Sequence, residues 1–479
     1  MGHFAPKSKH RWLELGGPIL QNQPTTVNSS ADQALTVRCY LVGGAVRDRL
    51  LHMGLHSDTA GSASLQTTKQ RHVDRDWVVV GSTPEAMLQA GFRPVGKDFP
   101  VFLHPETGEE FALARTERKT TAGYHGFDVH AHPSVTLEQD LERRDLTLNA
   151  MAVAAPVHDP LLAGRMNDWP WGEADVLAPH GGLQDLKNGV LRHVGPAFVE
   201  DPVRVLRLAR LAARFDAFTV APATLKFMQT MVQNGEVSAL VPERVWQEVS
   251  RGLMEHAPAR MFEVLRECGA LQVLAPEVDR LWGVPQRADY HPEVDTGVHV
   301  MMVLNQSARM GVALPVRYAC LCHDLGKGTT PDHVLPRHLG HETRGLPWVR
   351  ALSERWKVPT ECRDLALLVC AEHGNVAQSA GFGAEALWRL MDRCDAWRRP
   401  DRFEHMLQAC DCDTRGRLHH ENDVSAATGR LRVALKATLA VKARDLLAQD
   451  ASLAEQPSRM QAALATARTQ AIAQSLNIE

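Results

Sequence analysis

Two aspartates two residues apart, Asp74 and Asp76, lead into the apolar run Trp77-Val78-Val79-Val80. In a strand, residues i and i+2 face the same way, so both carboxylates can aim at one point, where a cation relieves their repulsion. Mg2+ suits such a place because it takes one or two carboxylates and completes its shell with phosphate oxygens and water. Upstream stands Leu41-Val42-Gly43-Gly44-Ala45-Val46-Arg47-Asp48, an apolar strand, two glycines and the start of a helix. Backbone N–H groups at such a turn bind phosphate, since no side chain blocks the approach and the helix end is positive. Arg47, one turn into the helix, adds a forked donor. The two pieces together suit a metal-bound nucleoside triphosphate, with metal activating an attacking hydroxyl and stabilising the leaving pyrophosphate. Glu110, on a later strand, is a candidate third carboxylate.

Two arginine groups follow. Arg143-Arg144-Asp145 sits inside the 137–154 segment, whose pattern reads as a helix. Tandem arginines are costly to bury without anionic partners; a triphosphate or an RNA phosphate supplies them, and an internal ion pair with Asp145 is the structural alternative. In Glu200-Asp201-Pro202-Val203-Arg204-Val205-Leu206-Arg207-Leu208-Ala209-Arg210 the arginines recur every third residue, along one helix face, with Asp201 at the helix start. An acidic acceptor beside a guanidinium donor can copy a base-pairing edge.

The chain that must position these groups has 479 residues, enough for two to four domains. Its apolar content of 44% describes a soluble protein with real cores, and a net charge of -3 excludes coating nucleic acid by bulk charge while allowing a local basic face. No apolar run approaches the ~20 residues of a membrane span. Nine cysteines without a signal peptide point to a reducing, cytoplasmic setting. Cys320/Cys322 and Cys410/Cys412 lack the CxxC spacing of zinc or redox sites and read as core thiols.

Taken in order, residues 1–35 read as a flexible N-terminal extension. Residues 36–155 mix short strands and helices into an α+β head, interrupted by a polar loop at 55–72 and by a charged, glycine-bearing mobile loop at 115–134. From 156 to 285 the pattern is a helical neck and body, with an insertion-like segment at 161–181 and helices near 198–215, 222–234, 242–256 and 258–268. Residues 286–412 concentrate histidine, and 413–479 form an alanine-rich helical tail.

The histidine region contains His323-Asp324-Leu325-Gly326-Lys327-Gly328, which resembles the core of an HD phosphohydrolase domain. An adjacent His-Asp pair, joined by histidines from other helices, makes a transition-metal site that activates water. His299 lies upstream, His341 and His373 downstream, and Asp392 or Asp395 is expected to close the shell.

Four strings occur in a telling order: Leu41–Asp48, Asp74-Arg75-Asp76-Trp77, Arg143-Arg144-Asp145-Leu146-Thr147-Leu148-Asn149-Ala150, and Glu200-Asp201-Pro202-x-Arg204-x-x-Arg207. Residues 37–412 resemble the bacterial class II CCA-adding enzymes, tRNA nucleotidyltransferases of the polymerase-β superfamily that are related to bacterial poly(A) polymerases. Ala112–Lys119 resembles their flexible loop. The resemblance implies a polymerase-β-type nucleotidyltransferase head of mixed sheet and helices, an all-α neck and body, and an α-helical HD domain.

It also implies roles. Asp74 and Asp76 hold Mg2+, and Gly44 and Arg47 contact the nucleotide together with Arg144, Arg207 and Arg210. Asp201 and Arg204 read the incoming base. The implied activity is template-independent addition and repair of the tRNA 3′-terminal CCA from CTP and ATP, releasing pyrophosphate. The HD site, with His299, His323, Asp324, His341 and His373 around a transition-metal ion for which Ni2+ is the candidate, adds phosphatase and 2′,3′-cyclic phosphodiesterase activity. The implied partners are the tRNA acceptor arm, CTP and ATP, with no membrane, in a monomer or homodimer. The extension and the segments 55–72 and 161–181 depart from the family pattern and read as surface insertions. Two rival readings are a poly(A) polymerase on the same scaffold and an HD phosphohydrolase whose head only binds RNA.

Overall fold

The computed structural model describes residues 36–56, 75–95, 100–119, 127–166 and 169–477. Asp74, the 1–35 extension and nearly all of the 55–72 loop lie outside the described residues.

The head is built on a mixed seven-stranded sheet in the order β3-β4-β5-β2-β1-β8-β9. Its strands are β1 (Arg38–Val42), β2 (Asp76–Val80), β3 (Arg93–Val95), β4 (Val101–Leu103), β5 (Glu110–Leu113), β8 (Ala152–Ala154) and β9 (Val176–Leu177). The β-branched run of β2 is buried between two neighbours, antiparallel β1 and parallel β5, and a strand covered on both faces reads as a continuous apolar stretch. Trp77 stacks on Phe111 at 5.2 Å between ring centroids and on Trp169 at 5.7 Å, filling one face of the sheet.

Three expectations change here. The 115–134 segment contains a two-stranded ribbon, β6 (Arg115–Lys119) against β7 (Phe127–Ala131), with residues 120–126 outside the description. The 137–154 segment is not one helix. A capping box of Thr136 and Gln139 starts Leu137–Glu142, and the helix ends at Arg143. The Asp145 carboxylate then takes the Leu146 N–H and the Asn149 amide, a short 3-10 turn spans Thr147–Asn149, and β8 leaves to pair with β1. Nor is 161–181 a surface insertion. It supplies the Pro160–Arg165 helix, the buried Trp169 and Trp171, and the edge strand β9, so it belongs to the head's core and sheet.

Beyond Gly182 the chain is predominantly helical. Val203–Arg214 carries Val203, Leu206, Leu208, Ala209, Leu211 and Ala213 into the core and packs on Pro242–Leu253 and Pro258–Glu267. One apolar cluster runs on from the head's Trp77 through Phe198 and Phe262 to Tyr318 and Phe403, so head, neck and histidine region share a continuous core. The Pro400–Arg415 helix runs through the boundary expected at 412/413, which therefore falls inside an element. Of the tail, Ala426–Leu439 and Pro457–Leu476 pack on each other and on the preceding helices, burying Leu431 and Ile472. All nine cysteines are free and buried. No helix among the described residues is long and apolar enough to cross a membrane.

Candidate functional sites in the head and the histidine region

The glycine turn ends β1. Gly43 has φ +69°, a left-handed conformation that side chains disfavour, and its N–H bonds to the Met151 carbonyl at 3.0 Å. A Cβ on Gly43 would stand 3.2 Å from Arg144 Nη1, so the turn and the tandem-arginine string meet directly. Asp76 begins β2 opposite Val42, the last residue before the turn, and in parallel register with Glu110 of β5. The sheet thus brings the Gly43–Gly44 turn, Asp76 and Glu110 to one end of three adjacent strands, both carboxylate residues exposed. Carboxylates at an exposed strand end are the donor chemistry that Mg2+ favours; Asp74, the other half of the pair, is outside the described residues.

Behind the turn lies a lattice of arginines and carboxylates. Buried Asp140 accepts from Arg143 Nη2 at 2.7 Å and from Arg144 Nη2 at 3.2 Å. Burial would raise the Asp140 carboxyl, but Arg143 and Arg144 hold it below its ordinary value. Arg47, itself buried, donates to Asn149 Oδ1 and, through Nε at 2.8 Å, to Asp48. Asn149 Nδ2 in turn donates to Asp145 at 3.0 Å, and Asp145 accepts Arg207 Nε at 2.8 Å. Burial opposes the charge on Asp145; Arg207, Asn149 and the Leu146 N–H overcome it and hold the carboxyl well below the carboxylate range.

The neck supplies the remaining predicted residues. Arg204 is buried and donates from Nη1 to the Ala197 carbonyl and from Nη2 to the Arg143 carbonyl, both at 2.6 Å. Asp201 accepts Arg244 in a fork, at 3.1 and 2.8 Å, and caps the Val203 N–H at 3.1 Å. Arg210 donates to Glu248 at 2.6 Å, with Glu255 at 3.6 Å. Arg144, Arg47, Arg204 and Arg207 therefore converge on the turn and the Arg143–Asn149 string, while Arg210 does not. Asp140, Asn149 and Arg244 were not singled out from sequence. Asn149 stood in the string already quoted, and Arg244 opens the helix forecast at 242–256.

The histidine region forms a buried cage. His299 comes from Thr296–Arg309, His323 and Asp324 from the end of Leu314–Cys322, His341 from the start of His341–Arg355, and His373 from Thr360–Gln378. Gly326 permits this assembly: a Cβ there would come within 2.0 Å of the His341 carbonyl oxygen. The closing carboxylate is Asp413, not Asp392 or Asp395. Asp413 Oδ1 lies 3.1 Å from His299 Nε2 and 4.0 Å from His323 Nε2. Asp392 is exposed, and Asp395, at φ +56°, pairs with Arg398 at 2.9 Å.

The cage fits metal. Nδ1 of His323, His341 and His373 lies 2.8, 3.0 and 3.0 Å from the carbonyls of Cys320, His338 and Val369. A carbonyl only accepts, so Nδ1 carries the proton and the Nε2 lone pair points inward, as in metal-bound histidine. His299 Nδ1 sits 2.8 Å from Glu293 Oε1, an ion-pair distance without hydrogen-bond alignment. Both Asp324 oxygens are buried without a hydrogen bond, although Lys327 Nζ lies 2.7 Å from Oδ2. Burial opposes ionisation of Asp324, yet His323 and Lys327 hold its carboxyl well below the ordinary value.

Residues 39–192 match the family described as "Poly A polymerase head domain", 217–281 that described as "Probable RNA and SrmB- binding site of polymerase A", and 296–400 the HD domain. Fold and matches together define a polymerase-type nucleotidyltransferase head and neck joined to an HD domain. Among solved structures, the CCA-adding enzyme of Bacillus stearothermophilus in complex with CTP shares the fold, with a TM-score of 0.54 at 20% identity over 86% of this chain and 83% of that one. The multifunctional CCA protein of Leptothrix cholodnii is 57% identical over 91% of this chain and 96% of its own length. That of Cupriavidus pinatubonensis is 58% identical over 85% of this chain and 91% of its own. At this identity and coverage the chain belongs to the multifunctional CCA protein family.

Proposed function

We propose that this chain adds and repairs the 3′-terminal CCA of tRNA without a nucleic-acid template, from CTP and ATP. The observation that carries this reading is the bonded series from Arg47, beside Gly44, through Asn149 and Asp145 to Arg207, with Arg144 against Gly43. It ties the phosphate-binding turn of the head to the helix that Asp201 and Arg204 begin. A CTP complex of a structurally similar enzyme and the family's name support the substrate choice.

In this reading Mg2+ held by Asp74 and Asp76 supplies Lewis-acid chemistry at the α-phosphate, with Glu110 beside Asp76 in register. The backbone at Gly43–Gly44 and the guanidinium of Arg144 bind the triphosphate, and Arg47 keeps the turn in shape through Asn149 and Asp48. Asp201 accepts from the amine that cytosine and adenine share, while Arg204, fixed by two carbonyls, presents its guanidinium to the base. The tRNA 3′-oxygen attacks the α-phosphorus, the bond to the bridging oxygen breaks, and pyrophosphate leaves. Contacts to the acceptor arm read shape and phosphates rather than sequence. Nine free thiols agree with a cytoplasmic setting.

The HD domain in this reading hydrolyses phosphomonoesters and 2′,3′-cyclic phosphates, preparing damaged ends for CCA addition. Imidazole-rich donors suit a late first-row ion, Ni2+ among them.

Incubation with tRNA lacking its terminus, plus CTP and ATP, and end mapping of the product tests the head. Addition of CCA and then arrest is expected; a longer adenosine tail, or no use of CTP, overturns the reading in favour of a poly(A) polymerase. Release of phosphate from a 2′,3′-cyclic end, abolished in His323→Ala, tests the HD assignment.

A further inference from the structure

Asp76 and its two neighbours in the chain belong to opposite faces of the sheet, because strand residues alternate. Val78, two residues on from Asp76, lies in the smaller apolar cluster with Tyr40 and Val42, whereas Trp77 and Val79 lie in the larger one with Phe111 and Leu113. Glu110 shares the Asp76 face, in register with it. Glu109 lies on the other side and takes hold of both residues that flank Asp76. One oxygen accepts Arg75 Nε at 2.6 Å and the other accepts Trp77 Nε1 at 3.0 Å.

Both donors are themselves fixed. The Trp77 indole stacks on Phe111 and on Trp169. Arg75 also donates to the Met166 and Gly164 carbonyls, at the end of the Pro160–Arg165 helix, and its guanidinium carbon lies 5.6 Å from the Trp77 ring centroid. Strand pairing starts at Asp76, opposite Val42 and Glu110, so Arg75 stands one residue outside the ladder. There side chains, rather than strand pairing, hold the chain. The Arg75 and Glu109 side chains are only 16% and 15% exposed, which makes their ion pair stronger than one on an open surface. Glu109 also engages the charge of Arg75; a guanidinium released next to Asp76 in the chain would compete with a cation for the strand-end carboxylates.

We propose that Glu109 is a positioning residue of the nucleotidyltransferase site: by gripping Arg75 and Trp77 it aims the Asp76 carboxylate at Mg2+, touching neither metal nor substrate. Glu109 and Glu110, adjacent in sequence, then serve one metal from opposite faces of the sheet, Glu109 from behind and Glu110 beside Asp76. This role rests on the nucleotidyltransferase reading of the head.

Metal-dependent nucleotide binding tests it alongside addition. Labelled CTP is bound to the full chain at equilibrium, in EDTA and across a Mg2+ titration. Glu109→Ala is expected to leave binding in EDTA unchanged, because the Gly43–Gly44 turn and Arg144 are untouched, and to raise the Mg2+ concentration at half-maximal binding about 10–100-fold. Addition of CTP to tRNA should need the same extra Mg2+, with phosphate release by the HD domain unchanged. Glu109→Gln, which keeps an acceptor for Trp77 Nε1, is expected to fall between the two. An unchanged Mg2+ requirement in Glu109→Ala overturns the proposal, as does a loss of binding in EDTA equal to the loss in Mg2+, which is what a merely structural role would give. Near-ultraviolet circular dichroism checks folding; where the alanine variant does not fold, Glu109→Gln decides, and a Mg2+ requirement equal to that of the parent overturns the proposal. Asp76→Asn separates the role of Glu109 from the site it serves. Loss of the Mg2+-dependent binding in Asp76→Asn but not in Glu109→Ala strikes only the role of Glu109; its persistence in Asp76→Asn strikes the metal site and the role of Glu109 with it.

Discussion

Arg207 of the neck donates Nε to Asp145 Oδ2 of the head at 2.8 Å, and the carboxylate that receives it is buried. The same carboxylate holds Asn149, and Asn149 holds Arg47. With Arg214 on Asp48 at 2.9 Å, this ion pair ties the Val203–Arg214 helix to the segment around the Gly43–Gly44 turn. Asp145→Asn keeps the shape and removes the charge; loss of a charged, half-screened pair is expected to cost about 1–3 kcal/mol at neutral pH. The pH dependence has a defined sign. The folded carboxyl is depressed below its ordinary 3.8, so its contribution is fully present above that value and is lost as pH falls through the folded one. Thermal unfolding of the two proteins is thus expected to differ at neutral pH and to converge in strong acid; a gap that stays constant into strong acid removes the electrostatic account.

Arg244 occupies both oxygens of Asp201 with a forked pair. For Asp201 to accept from a nucleobase amine, that fork must yield a position or hold the carboxylate at the right angle. Arg244→Ala leaves Asp201 pointed only by the Val203 N–H. Discrimination of CTP and ATP against UTP and GTP is expected to fall about 10-fold, or ~1.4 kcal/mol in the ratio of kcat/KM values. Unchanged discrimination would remove Arg244 from base selection and leave it a structural partner of the helix.

The head's motifs and the alternation of strands and helices were legible because local chemistry fixes them: a glycine turn at φ +69°, a capping box at Thr136, an apolar central strand. The 137–154 segment misled because its apolar content is that of a helix, while the turn at Asp145 depends on a side chain folding back on its own backbone. Trp169 and Trp171 were hidden among glycine, proline and aspartate, and only the stack on Trp77 shows that they belong to the core. Asp413 is hidden on a core-facing stripe. It continues the buried stripe of Met406, Ala409 and Cys410 on its helix, an acidic residue on an apolar face, whereas Asp411 turns to Thr428 and Arg432. Expectation instead followed Asp392 and Asp395, which share a helix end with exposed arginines.

Asp76 and Glu110 stand side by side in parallel register, but their positions predict unequal effects. Asp76 begins the strand next to the glycine turn and is expected to be essential. Asp76→Asn should lower nucleotide addition by about 10³-fold or more while phosphate release by the HD domain persists. Glu110→Gln is expected to cost about 10-fold, as a supporting carboxylate that binds through water. Single-turnover addition of CTP at saturating Mg2+ measures both; equal losses would make Glu110 a direct ligand, and no loss in Asp76→Asn would place the catalytic metal elsewhere.

Glu293 touches no bound group in this reading, yet it lies 2.8 Å from His299 Nδ1 and 3.1 Å from His291 Nδ1. The other three cage histidines place Nδ1 within 3.0 Å of neutral carbonyls, with Glu342 a further 3.4 Å neighbour of His341 Nδ1, so His299 is the one whose nearest Nδ1 partner is a carboxylate. Burial disfavours the charge on Glu293, but the two histidines hold it ionised, well below the ordinary carboxyl range. Glu293→Gln retains a hydrogen-bond acceptor and removes that charge. Ni2+ affinity of the cage is expected to fall about 10–100-fold. Competition with a chromophoric chelator measures it. Unchanged affinity would show instead that Glu293 serves only to hold the Leu418 N–H and His291 in place.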